Sequence, residues 1–247
     1  MNKVLSPVRR AVEDFKMIQS KDRICIGVSG GKDSLLLLSA MHKLATFYPQ
    51  PFTVIGVTID MGVPGMDINP IRTFCQQEGI EYLVKKTNIY DVVFETRKET
   101  NPCSLCAVMR RGALNNIAVE LGCNKVALGH NYDDVLETFV MNLIHEGRIG
   151  CFRPVTELTR SGISVIRPLI YMSERSIRAA VKRYGLPIVD NPCPANGHTQ
   201  RQEIKELLID LERCYSGVKK RMFGALQRSG IDGWSVSNLP KRGRKIH

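Results

Sequence analysis

Hydrophobic and polar residues follow two alternating patterns along the chain. Short runs of β-branched residues predict buried strands, and longer stretches with apolar positions every three or four residues predict amphipathic helices. The predicted strands are 23–28, 52–59, 80–84, 125–128 and 164–167. The predicted helices are 33–45, 67–78, 104–121, 132–145, 173–184 and 199–215. Because strands and helices alternate, we predict an α/β fold with a doubly wound, mostly parallel sheet covered on both faces.

The composition is that of a folded, strongly basic chain. Its 247 residues are 43% hydrophobic, which is enough to bury a core. No apolar run reaches the roughly 18–20 residues that span a bilayer, and the first residues lack a signal-peptide core, so we expect a cytoplasmic protein. With 35 Lys and Arg against 24 Asp and Glu, the net charge of +11 favours a polyanionic partner such as nucleic acid. A basic surface without a partner explains the charge equally well.

The charge balance changes near residue 216. From there to residue 247 the only acid is Asp232, among eight Lys and Arg residues. We therefore predict a main domain over 1–215 and a basic extension over 216–247, whose last seven residues are expected to be a disordered arm.

The strongest local signal is a glycine-rich hexapeptide between the first predicted strand and the first predicted helix. It reads Ser29-Gly30-Gly31-Lys32-Asp33-Ser34. Two glycines allow a tight turn that brings backbone N–H groups close to an anion, and the helix that follows adds its own unpaired N–H donors. The loop is not the GxxxxGK[ST] sequence of P-loop NTPases. A glycine-rich turn without a ligand is the alternative interpretation.

Polar residues follow two other predicted strands. Thr58 and Asp60 lie at the end of the second strand, and Gly129 and His130 follow the fourth. Ligands of open parallel sheets lie beyond the carboxyl ends of the strands, so these four residues are candidates for the same site as the hexapeptide.

Two adjacent acids, Asp133 and Asp134, open the next predicted helix. Capping of that helix explains one aspartate. The functional interpretation is a Mg²⁺ ligand or an acid beside phosphate, and the sequence does not indicate which of the two would serve.

Three cysteines are candidates for metal binding or redox chemistry. Cys103 and Cys106 form a C-x2-C pair at the start of a predicted helix. Cys103 and Cys193 each end an Asn-Pro-Cys tripeptide. A C-x2-C pair lets two sulfurs reach one metal centre. Three thiolates on a [4Fe–4S] cluster would leave one iron open to a substrate or a sulfur atom.

Other interpretations of these cysteines remain open. They are a redox dithiol at the C-x2-C pair, a zinc ion with His198 as fourth ligand, and a persulfide-carrying cysteine without a metal. The other five are predicted to be small core residues, namely Cys25, Cys75, Cys123, Cys151 and Cys214.

Taken together, these motifs resemble a known family. The hexapeptide resembles the SGGxDS loop of the PP-loop ATP pyrophosphatase superfamily, which has the adenine nucleotide alpha hydrolase-like (HUP) fold. With the cysteines included, the chain resembles the TtcA family, the iron–sulfur tRNA 2-thiocytidine synthetases. The matching segments are 29–34, 103–106, 110–112, 128–130, 133–134, 166–169, 171, 193 and 200–202.

The resemblance implies an ATP-dependent sulfurtransferase that adenylates C2 of a tRNA cytidine, at position 32, and replaces its oxygen by sulfur. It implies ATP, Mg²⁺ and a [4Fe–4S] cluster as cofactors. The implied partners are tRNA and a sulfur donor system such as a cysteine desulfurase, with no membrane; a homodimer is left open.

The same resemblance implies roles for individual residues. The catalytic residues would be Lys32, Asp33, Arg110, Asp133 and Asp134. ATP would be bound by Ser29, Gly30, Gly31, Lys32, Asp33, Ser34, Thr58, Asp60, Gly129 and His130. The cluster would be held by Cys103, Cys106 and Cys193. RNA would be bound by Arg111, Arg201, Lys219, Lys220 and Arg221. For Arg110 and Arg111, a solvated helix face is the alternative.

Three competing functions remain. The first is thiolation of tRNA uridine or of another adenylated base on the same scaffold. The second is a PP-loop ligase or amidotransferase that acts on a small molecule, which leaves the charge and the cysteines unexplained. The third is a non-catalytic iron–sulfur sensor that binds RNA.

Overall fold

The computed structural model describes residues 1–97, 102–189, 192–193 and 200–236. The helices are α1 (Asn2–Asp14), α2 (Lys32–Ala45), α3 (Asn69–Glu78), α4 (Pro102–Glu120), α5 (Tyr132–His145), α6 (Glu174–Tyr184), α7 (Gln200–Cys214) and α8 (Val218–Ser229). The strands are β1 (Arg23–Gly27), β2 (Thr53–Asp60), β3 (Tyr82–Lys86), β4 (Lys125–Ala127), β5 (Val155–Leu158) and β6 (Ile163–Ile166). A π-helical turn at Asp91–Thr96 and a 3-10 turn at Ile231–Gly233 complete the described elements.

The strands form one six-stranded sheet in the order β3-β2-β1-β4-β6-β5. Five strands are parallel, and β5 pairs antiparallel with β6. In the centre, Cys25 of β1 pairs with Ile55 of β2 on one side and with Val126 of β4 on the other. The order confirms the predicted mostly parallel sheet. The chain extends the sheet in opposite directions from β1, so the crevice beyond the carboxyl ends of β1 and β4 is the place where such folds bind ligands.

The central strands and α2 are buried on all sides. The middle of β1 is fully buried, and six consecutive residues of β2, Val54–Ile59, are shielded from solvent. This is why these strands are continuous apolar runs rather than alternating ones. In α2 the four consecutive leucines from Leu35 to Leu38 are all at 0% exposure, so this helix carries no wide polar face.

Besides the π-helical and 3-10 turns, two helices and one strand among the described residues were not predicted from the sequence. Helix α1 buries Val4, Val8 and Val12 at helical spacing, but it contains Pro7, a residue that disfavours helix interiors. Strand β5 has only four residues and no fully buried position, which leaves a weak pattern. Helix α8 lies in the segment expected to be a basic extension, and its buried Phe223 and Leu226 show that this segment has a core-facing side.

The chain divides into two compact units, which are described separately. One comprises Met1–Tyr132 and Val155–His198, and the other comprises Asp133–Pro154 and Thr199–His247. The second unit has its own apolar centre around Trp234, which is fully buried against Phe223 and donates a hydrogen bond from Nε1 to the Phe152 carbonyl at 2.9 Å. The predicted boundary between 215 and 216 stays a prediction, and the arm expected over 241–247 lies outside the described residues.

Two further expectations can be compared with the structure. Among the helices of the described residues, none combines the length and the apolar character that crossing a membrane requires.

Of the five cysteines expected in the core, four are buried, but Cys214 is exposed at the end of α7. That expectation was wrong for Cys214, because a position in a helix does not by itself indicate whether the residue faces the core or the solvent.

Candidate nucleotide cavity and cysteine group

The glycine-rich hexapeptide forms a closed turn between β1 and α2. The Ser34 hydroxyl accepts a hydrogen bond from the Ser29 backbone N–H at 3.1 Å and donates one to the Gly31 carbonyl at 2.9 Å. Gly30 has φ +86°, which a side chain would strain, and an added Cβ there would lie 3.1 Å from Cβ of Val189. The turn therefore depends on Ser34 as an internal tie and on glycine at position 30.

A cavity of about 330 Å³ opens at the carboxyl ends of β1, β2 and β4. Its walls combine the hexapeptide, the ends of three strands, the chain before α3 and one face of α4. The wall residues from the predicted site are Ser29, Asp33, Ser34, Thr58, Asp60, Arg110, Arg111, Gly129 and His130. The structure thus brings together nine of the predicted site residues. Gly30 and Gly31 belong to the turn itself, and Lys32 is not among the wall residues found in the described part of the chain.

Gly129 is where β4 touches the start of α2. A Cβ on Gly129 would lie 3.1 Å from the Asp33 carbonyl carbon and 3.2 Å from the Ser34 backbone nitrogen. These are main-chain atoms that cannot move aside locally. The glycine after β4 is therefore required by the close approach of two backbones at the cavity.

Asp33 is held by hydrogen bonds to both carboxylate oxygens. Oδ2 lies 2.8 Å from Nζ of Lys32, and Oδ1 accepts a hydrogen bond from Nδ2 of Asn131 at 3.0 Å. Burial lowers the pKa of Lys32, but the hydrogen bonds and charges of Asp33 and Glu174 outweigh burial, so the net pKa shift is upward. Lys32 is accordingly a charged ammonium beside an oriented carboxylate.

Thr58 and Asp60 both reach the cavity but differ in their surroundings. The buried Thr58 hydroxyl donates to the Val28 carbonyl at 2.8 Å and pairs with the Tyr82 hydroxyl at 2.6 Å. Asp60 accepts a hydrogen bond from the Gly62 backbone N–H at 3.0 Å. Thr58 therefore fixes the end of β2 against the end of β1, while the Asp60 carboxylate orients the turn that forms one cavity wall.

Helix α4 connects the cavity to the cysteine group. Arg110 and Arg111 line the cavity, and Cys106 lies one helical turn before Arg110. Cys106 Sγ is 3.4 Å from the sulfur of Met61, which is itself a cavity wall residue. Helix α4 therefore carries both the Cys106 thiol, which lies beside Met61, and two arginines of the cavity wall.

The three predicted cluster cysteines lie close enough to influence one another. Burial raises the pKa of the Cys106 thiol, the positive charge of Arg110 lowers it, and Cys193 and Cys103 raise it further. Cys103 is exposed, whereas Cys106 and Cys193 are half-buried. That these three cysteines jointly hold a cluster stays a prediction.

A single metal ion finds no ready set of ligands among residues 1–97, 102–189, 192–193 and 200–236. Within those ranges, no group of three or more His, Cys, Asp or Glu side chains is arranged to hold a metal ion. Neither the predicted zinc site nor the predicted three-cysteine cluster site is therefore shown, and both stay predictions. His198, the predicted fourth zinc ligand, lies outside the described residues.

In the second unit, the acid pair that opens α5 is matched by basic residues from α7 and α8. Asp133 Oδ1 lies 3.0 Å from Nζ of Lys219, and Asp134 Oδ1 lies 3.2 Å from Nη1 of Arg201. The same Arg201 nitrogen is 3.4 Å from Oε2 of the buried Glu137. Burial raises the pKa of Glu137, Asp134 raises it further, and Arg201 opposes the rise. These contacts tie three elements of the unit together through charge.

The other predicted RNA-binding residues of this unit are exposed. Lys220 and Arg221 both point to solvent on α8, and Arg221 donates from Nη1 to the Ser216 carbonyl at 2.9 Å. Lys219 is half-buried and forms an ion pair with Asp133, whereas Arg201 is exposed but forms an ion pair with Asp134. The five residues predicted to bind RNA are therefore not equivalent in the folded chain.

Comparison with known proteins places the chain in a family. Its sequence matches the PP-loop domain over residues 4–212. It is 37% identical over 227 residues to the tRNA-cytidine(32) 2-sulfurtransferase of Geobacter sulfurreducens, covering 91% of this chain and 88% of that relative. It is 39% identical over 222 residues to the enzyme of the same name from Pelobacter propionicus, covering 89% and 82%. The chain belongs to the tRNA-cytidine(32) 2-sulfurtransferase family.

A solved structure extends the comparison for this 2-sulfurtransferase family member. The U34-tRNA thiolase NcsA from Methanococcus maripaludis, with its [4Fe–4S] cluster, superposes with a TM-score of 0.74 and 26% sequence identity. The match covers 88% of this chain and 76% of that thiolase. The predicted family and the PP-loop fold are both confirmed.

Sequence reasoning missed several residues that shape the site of this 2-sulfurtransferase family member. Asn131, which orients Asp33, directly follows the Gly129-His130 pair and could have been found from that position. Met61 and Glu174 carried no motif, because their relevance depends on contacts across the fold. The apolar part of the cavity wall was also missed; it includes Val28, Val63, Met66, Ile68 and Leu128.

Proposed function

We propose that this protein uses ATP to adenylate C2 of a tRNA cytidine, at position 32, and then exchanges the C2 oxygen for sulfur. The observation that carries the proposal is the double role of Met61. Its side chain lines the nucleotide cavity and lies 3.4 Å from the Cys106 sulfur. Activation by ATP and delivery of sulfur to the same base carbon require two such sites side by side.

The cavity supplies what an adenylating site needs. The hexapeptide turn and the N-terminal end of α2 offer backbone N–H donors to phosphate oxygens, and Arg110 and Arg111 add positive charge to the cavity wall. Apolar residues such as Ile68 and Leu128 suit a purine ring. Asp33 and Asp60 are cavity carboxylates with the chemistry that Mg²⁺ prefers.

Three cysteines fit a [4Fe–4S] cluster by the chemistry of their donors. Cys103, Cys106 and Cys193 offer the soft sulfur donors that iron–sulfur clusters prefer, and all three belong to the first unit. When bound by three cysteines, such a cluster supplies one iron position that can carry a sulfur atom. Burial raises the pKa of the Cys106 thiol, and the positive charge of Arg110 opposes part of that rise.

The reaction balances with ATP and a sulfur nucleophile. The C2 oxygen of the base attacks the α-phosphorus of ATP, and pyrophosphate leaves. Hydrosulfide attacks C2 of the adenylated base, and AMP departs with the former C2 oxygen. Lys32, Arg110 and the loop N–H groups would stabilise the negative charge that moves onto the phosphates. Adenylation is required because an unmodified C2 oxygen is a poor leaving group.

The partners follow from this chemistry. The substrate tRNA would present an unstacked base, which is most accessible in a single-stranded loop, while Lys220, Arg221 and Arg111 meet backbone phosphates. A cysteine desulfurase system would supply the sulfur. We further propose a cytoplasmic location and a homodimeric assembly.

The decisive experiment identifies the product nucleoside. The protein is purified and reconstituted without oxygen, iron and sulfide are quantified, and it is incubated with unmodified tRNA, ATP, Mg²⁺ and sulfide. Digestion of the tRNA and mass analysis should reveal 2-thiocytidine, and the Asp33→Ala variant should yield none. A normal yield of thionucleoside from Asp33→Ala, or none from the wild type with an intact cluster, would contradict the proposal.

Thiolation of uridine is the second candidate. It is favoured by the structural similarity to a U34-tRNA thiolase. The same digestion separates the two functions, because 2-thiouridine and 2-thiocytidine differ in mass.

A further inference from the structure

The positive charge of Lys32 is shared between two carboxylates of the same unit. Its Nζ lies 2.8 Å from Oδ2 of Asp33 and 3.3 Å from Oε1 of Glu174. Both acids are mostly shielded from solvent, with side-chain exposures of 26% and 17%. In this arrangement the ammonium group faces carboxylates, and Lys32 is not among the residues found to line the cavity in the described chain.

Glu174 is well placed to hold Lys32 and to let it go. It occupies the first turn of α6, directly after the capping residue Ser173, where the helix dipole stabilises a negative charge. The same carboxylate oxygen lies 2.7 Å from Nη2 of Arg178, one turn further along α6. Departure of Lys32 would therefore leave Glu174 still paired with a cation.

Asp33 is not placed to release Lys32 in this way. Its carboxylate lines the cavity and is fixed by Asn131 as well as by Lys32, so it stays with the hexapeptide turn. Glu174 comes from a different element and contacts Lys32 at the longer distance. A lysine that turns to meet phosphate would thus break its contact with Glu174 first.

We propose that Glu174 is a positioning residue that holds Lys32 in the nucleotide-free protein and competes with the phosphates of ATP for its charge. The inference rests on the proposed function, because it concerns the ATP of that reaction. The negative charge of Glu174 sets how tightly ATP binds, and Arg178 moderates that effect by taking part of the charge.

The first test is the Glu174→Gln variant, which removes the charge and keeps the size of the side chain. Its affinity for ATP, measured by calorimetry without tRNA, should increase about three- to tenfold, the range expected from loss of a partly shielded ion-pair competitor. The KM for ATP in pyrophosphate release should fall by a similar factor. A purely structural role for Glu174 would weaken ATP binding instead.

Glu13→Gln is the matched control. Oε1 of Glu13 lies 2.7 Å from Nε of Arg9, an i,i+4 pair like that of Glu174 with Arg178. Glu13 also belongs to the first unit. The two variants change the net charge equally, so any general attraction of ATP to a more basic protein appears in both. Only Glu174→Gln should show the additional gain in affinity.

A second variant predicts the opposite sign. Arg178→Ala removes one cation from the Glu174 carboxylate and leaves the contact with Lys32, so ATP affinity should fall about threefold relative to Arg9→Ala. Arg178 is 66% exposed, so this variant is expected to fold even if Glu174→Gln does not. Thermal unfolding followed by circular dichroism verifies folding in each case.

The outcomes distinguish the inference from the proposed function. Equal ATP affinities of Glu174→Gln and Glu13→Gln, or of Arg178→Ala and Arg9→Ala, would overturn the role of Glu174. Absence of any thionucleoside from the cluster-loaded wild type would instead contradict the proposed function. ATP calorimetry does not depend on tRNA or the cluster, so each result can be obtained independently of the other.

Discussion

Nζ of Lys219 lies 3.0 Å from Oδ1 of Asp133, so a lysine predicted to bind RNA is paired with an acid predicted to serve ATP. The neighbouring Asp134 is similarly paired with Arg201. Both acids open α5, and both cations come from the later helices α7 and α8. A contact of this kind has a structural consequence that a solvated lysine lacks.

The first prediction separates Lys219 from its neighbour Lys220. Lys219→Ala should lower the free energy of unfolding by about 0.5–1 kcal/mol, since it removes a partly buried ion pair. Lys220→Ala removes an exposed charge and should leave stability unchanged, but it should weaken tRNA binding and reduce its salt slope by about 1. Urea unfolding and tRNA binding at several salt concentrations measure the two effects. Identical behaviour of the two variants would contradict this distinction.

The second prediction concerns the cysteines. Replacing Cys103, Cys106 or Cys193 by Ala should abolish thiolation and remove the visible absorbance of the cluster, because each thiolate would hold a separate iron. Cys214→Ala is the control, since Cys214 is an exposed cysteine in the other unit. Absorbance, iron content and thionucleoside yield are measured on the same anaerobic preparations. A fully coloured and active Cys193→Ala protein would exclude the three-cysteine arrangement.

The third prediction uses two glycines with opposite surroundings. Gly129→Ala would place Cβ 3.1 Å from the Asp33 carbonyl carbon, so we expect a destabilisation of about 1–3 kcal/mol and loss of ATP binding. Gly112→Ala meets nothing within 4 Å on α4, so it should stabilise that helix by up to about 1 kcal/mol. Unfolding curves and ATP calorimetry provide the comparison. Normal ATP affinity in Gly129→Ala would show that β4 and α2 can separate without cost to the site.

The fourth prediction is a pH dependence at Glu137. Its pKa is raised in the folded protein, first by burial and then by Asp134. A carboxyl group with a raised folded pKa favours folding below its unfolded pKa and loses that contribution as pH rises through the folded value. Glu137→Gln should therefore become more stable relative to wild type as pH rises from 4.5, the ordinary value, through the raised pKa of folded Glu137, and the difference should level off above it. Thermal unfolding across that range tests the trend, and a stability difference that does not change with pH would refute it.

Much of the fold was predictable because local patterns and tertiary packing agree. The buried strands β1 and β2 are continuous apolar runs, and α5 begins and ends at the predicted residues 132 and 145. The hexapeptide is recognisable because its glycines and serines serve one short turn, whose hydrogen bonds lie within six residues. Helix α1 was missed since Pro7 obscures an otherwise amphipathic stretch.

The sequence by itself determined the mostly parallel sheet, the glycine-rich turn between β1 and α2 and the PP-loop family, because each is encoded by neighbouring residues or a regular period. Only the tertiary structure decided that Met61 joins the cavity to Cys106, that Glu174 takes part of the charge of Lys32, and that Lys219 is paired with Asp133. Charges and sulfur atoms act over a few ångströms in space. Which of them meet depends on how distant segments pack, and no local pattern records that distance.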